Sequence, residues 1–394
     1  MKVAFVTPRY GPDIAGGAES AIRMLAERLA TRPGYEVDVL TTCARDSRTW
    51  ADEYAPGAVA LNGVEVHRFP AERGRHPDFD RRSGKVMANP HRAPIAAQRQ
   101  WIDDQGPVSS ELIAAIGDSD ADLCVFSPYL FHPTVYGVAA AKGRAVLHPA
   151  AHDEAPLRLP LYAQVMRQLR GLVFYTHVER RLTEHQFHTA ATPQLVLGLG
   201  IEEAAGTADV ARRELGVGDA PFITYVGRVD PSKGTTTLGE FFAVYKQRHP
   251  GPLKLVLMGQ VVEPPPEHPD IVLPGMVSEE VKWGALRACD LYVHPSGYES
   301  FSLVLIEAWV AGVPVLVNGR CGATREHCER SGGGLWFEDF PHFEAALERM
   351  LSDAALRERF VGRGQAYVDA NFRWPVLMDR YASFLERVAS VPSR

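Results

Sequence analysis

Two groups of charged side chains in the C-terminal half have types and spacings suited to holding a phosphorylated, hydroxyl-rich molecule. In Tyr225–Gly234, YVGRVDPSKG, Arg228 leaves the end of an apolar run, and Lys233 follows five residues later, past the turn Asp230-Pro231-Ser232. A diphosphate there would gain about 4 kcal/mol per unit-charge pair at 4 Å and an effective dielectric near 20. Arg suits bidentate phosphate contact and Lys acts as a mobile point charge. Read alone, an Arg and a Lys at this spacing are better explained as solvated loop charges. The segment His294–Asn318, HPSGYESFSLVLIEAWVAGVPVLVN, changes that balance. It reads as a strand ending at Pro295-Ser296, a turn, and a helix opening near Ser302, whose free N–H groups suit an anion. Glu299 falls in the turn, and Glu307 roughly 7–8 Å down the helix. A carboxylate repels phosphate, so acids placed here suit pairs of hydroxyls, of a sugar at Glu299 and of a ribose at Glu307. A helical Glu ordinarily faces solvent. Glu307 instead sits among Leu303, Val304, Leu305, Ile306, Ala308 and Trp309, where an isolated acid is costly without a task.

The N-terminal half is less explicit. The loop Arg9–Ser20, RYGPDIAGGAES, places Gly16 and Gly17 before a helix without forming GxGxxG, so a dinucleotide fingerprint is not indicated. A flexible turn is the plain alternative. LHPAAHDEAP puts His152 just past a strand end, with Asp153 and Glu154 as weaker candidates and His148 read as structural. The basic stretch Arg68–Arg92, within a bunching of positive charge that extends to Arg99, reads as long and irregular. It suits an acidic or phosphorylated acceptor or a membrane surface, although such runs are more often solvated loops.

These residues need a scaffold that aims strand ends at one place. Apolar runs at Lys2–Thr7, Glu36–Thr42, Val64–Phe69, Asp122–Ser127, Arg144–Ala150, Gly171–Thr176 and Gln194–Gly200 alternate with helical patterns. After a charged connection near Glu202–Ala220, runs at Pro221–Gly227, Leu253–Gly259, Leu291–Ser296 and Val313–Asn318 repeat the alternation, with helices at Ser278–Ala288, Ser302–Ala311 and Phe343–Ser352. Continuous apolar strands separated by helices predict parallel sheets buried on both faces. Ligands of such sheets bind outside the carboxyl ends of the strands, so the expected site is a cleft between two α/β domains.

The chain has 394 residues, 46% hydrophobic and 23% charged, with net charge −6, which leaves no basic footprint for nucleic acid. Five cysteines without CxxC spacing indicate neither a disulfide framework nor a zinc site. Cys321, His327 and Cys328 are close enough in sequence for a metal, but thiols in a reducing compartment are the simpler reading. MKVAFVTPRY reads as a first strand and not a signal peptide. The run Phe301–Val317, broken by Glu307 and Pro314, is too short for a membrane span. The expectation is a cytoplasmic protein.

The spacing Glu299–Glu307 resembles the E-x7-E motif of retaining GT-B glycosyltransferases, and GRVDPSKG resembles the diphosphate-binding segment of glycosyltransferase family 4. The resemblance runs through VSEEVKWGALRACDLYVHPS, GGGLWFED and a helix around Trp374–Val388, which covers nearly the whole C-terminal half. It implies an α/β, GT-B fold of two Rossmann-like parallel-sheet domains facing across a cleft. The N-terminal acceptor domain would be 1–202, completed by a terminal helix 374–394 that crosses back, and the donor domain 203–373. It implies that Arg228 and Lys233 bind diphosphate, Glu299 the transferred sugar and Glu307 the ribose. Backbone groups of Phe301, Ser302, Leu303 and Val304 would line sugar and phosphate, with Met276 and Val277 near the base. Gly16 and Gly17 would admit the donor, and His152 would help position the sugar. Two positions depart from the pattern: Ser302 stands where many members have Gly, and Leu199 in the hinge-like GLGIEE stands where Asn is frequent.

The implied activity is retaining, metal-independent transfer of a hexose-type sugar, with no cofactor. The donor would be a UDP-, GDP-, ADP- or dTDP-sugar and the acceptor a glycan, lipid-linked or small molecule. A GT-B epimerase or hydrolase, and an inactive two-lobed nucleotide-sugar-binding scaffold, are the alternatives. An NAD-dependent oxidoreductase lacks its glycine fingerprint.

Overall fold

The computed structural model describes residues 1–14 and 16–391. The chain forms two compact units, Met1–Leu197 joined by the residues from Met378 onward, and Gly198–Leu377. The sequence reading set these boundaries at 202/203 and 373/374. The terminal helix is described as Trp374–Ser390, so positions 392–394 of the expected 374–394 segment lie outside the described residues, as does Ala15 of the Gly16-Gly17 loop.

The first unit is built on an eight-stranded sheet. Its strands are β1 (Lys2–Val6), β2 (Glu36–Thr42), β3 (Gly57–Leu61), β4 (Val64–Phe69), β5 (Leu123–Phe126), β6 (Ala145–Leu147), β7 (Gly171–Phe174) and β8 (Gln194–Val196), in the order β3-β4-β2-β1-β5-β6-β7-β8. β1 and β5–β7 are apolar and almost wholly buried, as two-faced burial requires. One edge departs from the all-parallel expectation: β3 pairs antiparallel with β4 through Asn62-Gly63, both at positive φ. That is the preferred chemistry of a two-residue hairpin turn. The terminal helix belongs to this unit from Met378 on. There Tyr381 hydroxyl lies 3.0 Å from His148 Nε2 in the core, and Tyr35 hydroxyl 2.8 Å from Glu386.

The basic stretch is not irregular. It holds the helix Phe79–Met87, whose Phe79 packs 5.8 Å from the Trp101 ring on the helix Ile95–Gln105. Ser83 Oγ accepts from Trp101 Nε1 at 2.9 Å. Several of its charges are paired, Arg82 with Asp104 and Arg81 with Asp78 among them.

The second unit carries a six-stranded, fully parallel sheet of β9 (Phe222–Val226), β10 (Lys254–Met258), β11 (Ile271–Gly275), β12 (Leu291–His294), β13 (Val315–Asn318) and β14 (Gly334–Phe337), ordered β11-β10-β9-β12-β13-β14. β9 and β12 are adjacent at the point where the order reverses direction, so the loops that follow them meet. This is where doubly wound sheets receive ligands. Among the described residues, no helix is long and apolar enough to cross a membrane.

Candidate active site

The loop after β9 is shaped by glycine. Gly259, at φ 138°, approaches so closely that a Cβ would stand 2.0 Å from the Gly227 carbonyl oxygen. Gly234, at φ 74°, leaves no more room: its Cβ would meet the Pro295 carbonyl at 2.5 Å. That second contact seats the loop 228–234 against the turn after β12. Within the loop, Asp230 is buried and receives Arg228 Nε, Ser232 N–H and Ser232 hydroxyl. Burial opposes its ionisation, but these bonds prevail and the Asp230 carboxyl falls to about 2. A fixed carboxylate thus orients Arg228, whose side chain stays half exposed.

Lys233, after the 3-10 turn Pro231–Lys233, reaches Glu299 Oε1 at 2.7 Å. His294, the last residue of β12, places Nε2 at 3.4 Å from the same oxygen, and its Nδ1 lies 2.8 Å from Tyr292 hydroxyl. Burial would raise the Glu299 pKa, yet His294 and Lys233 outweigh it and bring the carboxyl to about 2. Arg228, Lys233 and Glu299 are therefore gathered at the carboxyl ends of adjacent strands, where the sequence reading expected them. Asp230 and His294 join them. Sequence reasoning had treated Asp230 only as part of a turn. His294 was visible as a polar residue closing an apolar strand.

The helix after this turn is Leu303–Val310, opening one residue later than expected. Ser302 caps it at φ 72° with no side-chain cap bond, and Ser302, Leu303 and Val304 are half-exposed. The first N–H groups of a helix lack intrahelical acceptors, so this end offers free donors of the kind an anion accepts. Phe301 is turned inward, its ring edge-on to His327 at 4.8 Å and to Phe372 at 5.1 Å. The carbonyl of Phe301 is held at 3.1 Å from His327 Nε2, and burial takes the His327 pKa down to about 4, so the ring is neutral and donates. With its other nitrogen 3.3 Å from Tyr367 hydroxyl, His327 is a structural residue.

Glu307 is buried in this helix, as the apolar surroundings implied, but it is not isolated. Lys282, on the helix Glu279–Ala288, places Nζ 3.0 Å from Glu307 Oε1 and 2.7 Å from Glu279. Burial raises the Glu307 pKa and Lys282 opposes the rise. The second oxygen, Oε2, is buried without a hydrogen-bond partner. The structure thus shows a carboxylate with one oxygen pinned and one unfilled. Nothing in the local pattern around Lys282 pointed to it. Met276 and Val277 follow β11, Met276 76% exposed and therefore available for contact.

Gly16, Gly17 and His152 belong to the first unit. Gly16 is closed in by Glu19, which pairs with Arg9. His152 follows Ala150, a non-glycine residue at φ 53°, and places Nε2 3.7 Å from Glu154, which accepts from Tyr129 hydroxyl at 2.8 Å. The 150–152 loop is anchored by Glu179, which accepts from Ala151 N–H at 2.9 Å and Tyr175 N–H at 2.7 Å. His148 is fully buried and its pKa falls to about 3 through burial, in keeping with a structural role.

Comparison with known proteins gives this geometry a family. The model of the glycosyl transferases group 1 matches residues 208–367. The phosphatidyl-myo-inositol mannosyltransferase of Mycobacterium tuberculosis is 25% identical, over 99% of this chain and 97% of the relative. A GDP-mannose-dependent alpha-mannosyltransferase of Mycolicibacterium smegmatis is 25% identical over 98% of each chain. Among solved structures, sucrose-phosphate synthase from Thermosynechococcus elongatus superposes with a TM-score of 0.68 at 18% identity, over 98% of each chain. The E. coli trehalose-6-phosphate protein with UDP-2-fluoro glucose gives 0.71 at 14%, over the whole of both chains. These two show the shared fold. The matches favour glycosyl transfer over the epimerase, hydrolase and scaffold alternatives. Residues 208–367 match the group 1 glycosyltransferases, and the chain as a whole has the GT-B fold of these solved structures.

Proposed function

We propose that this glycosyltransferase moves a hexose-type sugar from a nucleoside diphosphate to an acceptor hydroxyl, with retention of anomeric configuration and without a metal. The observation that carries the reading is the Lys233–Glu299 pair, formed between the loop that also carries Arg228 and the turn that leads into an uncapped helix start. Without donor, Lys233 and Glu299 neutralise each other. A diphosphate gives Lys233 a stronger anionic partner, and Glu299 is then free to accept from sugar hydroxyls. Arg228, held by Asp230, keeps a half-exposed guanidinium for the phosphate. Charge that develops on the leaving group is met by donors already in place.

In the step itself the bond from the anomeric carbon to the phosphate oxygen breaks, and a bond to the acceptor oxygen forms on the same face. The acceptor proton passes to the departing phosphate oxygen, and a nucleoside diphosphate leaves. We assign ribose hydroxyls to the unfilled Oε2 of Glu307, the base to the surface at Met276 and Val277, and sugar positioning to His152 and to the loop of Gly16 and Gly17. The donor is one of the UDP-, GDP-, ADP- or dTDP-sugars. The names of the mannosyltransferase relatives make GDP-mannose the first to test. The acceptor is a glycan, lipid-linked or small molecule. Five free, buried cysteines fit the cytoplasmic setting we assign.

The test is a donor screen by thermal shift with these sugars, followed by incubation with cell extract in EDTA and NMR of the product's anomeric proton. A stabilising donor and a product of unchanged anomeric configuration in EDTA are expected. An inverted product, or activity that EDTA abolishes, would overturn the corresponding part of the proposal.

A further inference from the structure

The charges of the basic stretch are not all paired. Between β4 and the helix Phe79–Met87, Arg73, Gly74, Arg75, His76 and Pro77 line a recess of about 270 Å³, closed by Asp103 and Asp104. The recess is held by backbone. His76 N–H donates to Asp104 carbonyl at 2.8 Å and Arg75 N–H to Thr49 carbonyl at 3.2 Å. Gly74 leaves no room for a side chain, since its Cβ would stand 2.2 Å from Thr49 carbonyl.

Asp104 is engaged by Arg82 at 2.9 Å and Gln100 at 2.8 Å. Asp103 is hydrogen-bonded by Tyr136 hydroxyl and approached by Arg73 at 3.9 Å and His132 at 4.0 Å, while its Oδ1 is buried without a hydrogen bond. Arg75 is half-buried, lies 4.9 Å from the Phe79 ring centre, and has a buried Nε without a hydrogen bond. Among the described residues no carboxylate lies within ion-pair distance of it. Burial draws its pKa below the usual value. His76 Nδ1 accepts from Asp78 N–H at 3.0 Å, which leaves the neutral ring's proton on Nε2 as a further donor. Asp80 and Asp46 act on Arg75 only from beyond ion-pair distance. A half-buried guanidinium without a contact partner is costly, and a bound anion with charge-assisted hydrogen bonds lowers that cost.

We propose that this recess binds the phosphate of a phosphorylated polyol, with Arg75, Arg73 and His76 taking the oxyanion and Asp103 Oδ1 accepting from a hydroxyl. The recess belongs to the unit that does not hold the diphosphate loop. The assignment of the polyol as acceptor therefore rests on the glycosyl-transfer reading, whereas the anion site itself does not.

The experiment titrates the full-length protein, without nucleotide, with inorganic phosphate and with glycerol 3-phosphate by calorimetry. A parallel arm measures sedimentation with phosphatidylcholine vesicles that contain or lack phosphatidylglycerol. Saturable binding is expected, weakened at least tenfold by Arg75→Met and severalfold by Arg73→Gln, with nucleoside diphosphate binding unchanged in both. Arg73 is 59% exposed, so its variant remains informative if Arg75→Met fails to fold. Arg75-dependent binding in solution assigns the phosphate to a soluble ligand, and Arg75-dependent sedimentation only with phosphatidylglycerol assigns it to a lipid headgroup. Binding in neither arm, or binding that Arg75→Met and Arg73→Gln both leave intact, refutes the site. Phosphate binding in a protein that transfers no sugar would keep the site and remove the acceptor assignment.

Discussion

Lys233 and Glu299 come from different loops, 66 residues apart, and meet at 2.7 Å with His294 on the same carboxylate oxygen. The pair balances a cation against an acid beside the place where a diphosphate sugar would lie. A cation and an acid that serve different parts of one donor can wait as each other's partner.

Replacing Lys233 by Ala should therefore act twice, removing phosphate stabilisation and leaving Glu299 with less compensation. By analogy with the loss of one electrostatic donor, kcat/KM should fall about 10²–10³-fold. Steady-state kinetics with the preferred donor measure this. A fall of less than threefold would remove Lys233 from the diphosphate site.

Glu307 and Lys282 are both nearly buried, so removing one partner strands the other. Lys282→Met should cost about 3–5 kcal/mol in urea unfolding, and the double variant Lys282→Met/Glu307→Leu should recover most of it. The pH dependence follows from the raised Glu307 pKa. A carboxyl with a folded pKa above its unfolded value contributes stability at low pH and loses it as pH rises through the folded value. The Lys282→Met deficit should thus be larger at pH 8 than at pH 5. A deficit independent of pH would show that Glu307 stays neutral in the variant.

The strand runs were legible because strands buried on both faces cannot hide their apolar residues: β2 and β4 have the bounds read from sequence. β3 was missed because it is an exposed edge, although Asn62-Gly63 was a usable hairpin signal. Pro274 obscured β11, another edge. The helix Phe79–Met87 was missed because Phe79 alone of its residues is buried, too little for a periodic stripe. At the site, Arg228, Lys233 and the two glutamates could be read from local spacing. The Lys282–Glu307 pair could not, since only the packing of two helices makes those residues neighbours.

Two left-handed positions near the site should respond in opposite ways. Gly234→Ala adds a Cβ against the Pro295 carbonyl at an unfavourable φ, so it should lower stability by about 1–3 kcal/mol and weaken nucleotide binding. Ser302 already bears a side chain at φ 72°, and Ser302→Gly should relieve about 1 kcal/mol and raise Tm by a few degrees. Differential scanning calorimetry and a nucleotide titration test both. A lower Tm for Ser302→Gly would mean that the serine side chain makes a contact worth more than the strain.

Three buried histidines make stability fall toward acid. Burial lowers His148 to about 3, and His132 and His327 to about 4, whereas in the unfolded chain each titrates near 6.5. Between those values the unfolded chain binds protons that the folded chain does not, so stability is full above about pH 6.5 and is lost as pH falls toward 4. Each contributes up to about 1.4 kcal/mol per pH unit. Urea unfolding at pH 7 and pH 5 should show a loss for the wild type that His148→Gln reduces by about 2 kcal/mol. Protonation of His327 fills Nδ1, which lies 3.3 Å from Tyr367 hydroxyl, but keeps the Nε2–H that holds the Phe301 carbonyl just before the helix Leu303–Val310. Nucleotide affinity should therefore hold at acid pH until the second unit unfolds. Affinity that falls well before the unfolding transition would mean that the helix start depends on Nδ1 accepting from Tyr367 hydroxyl.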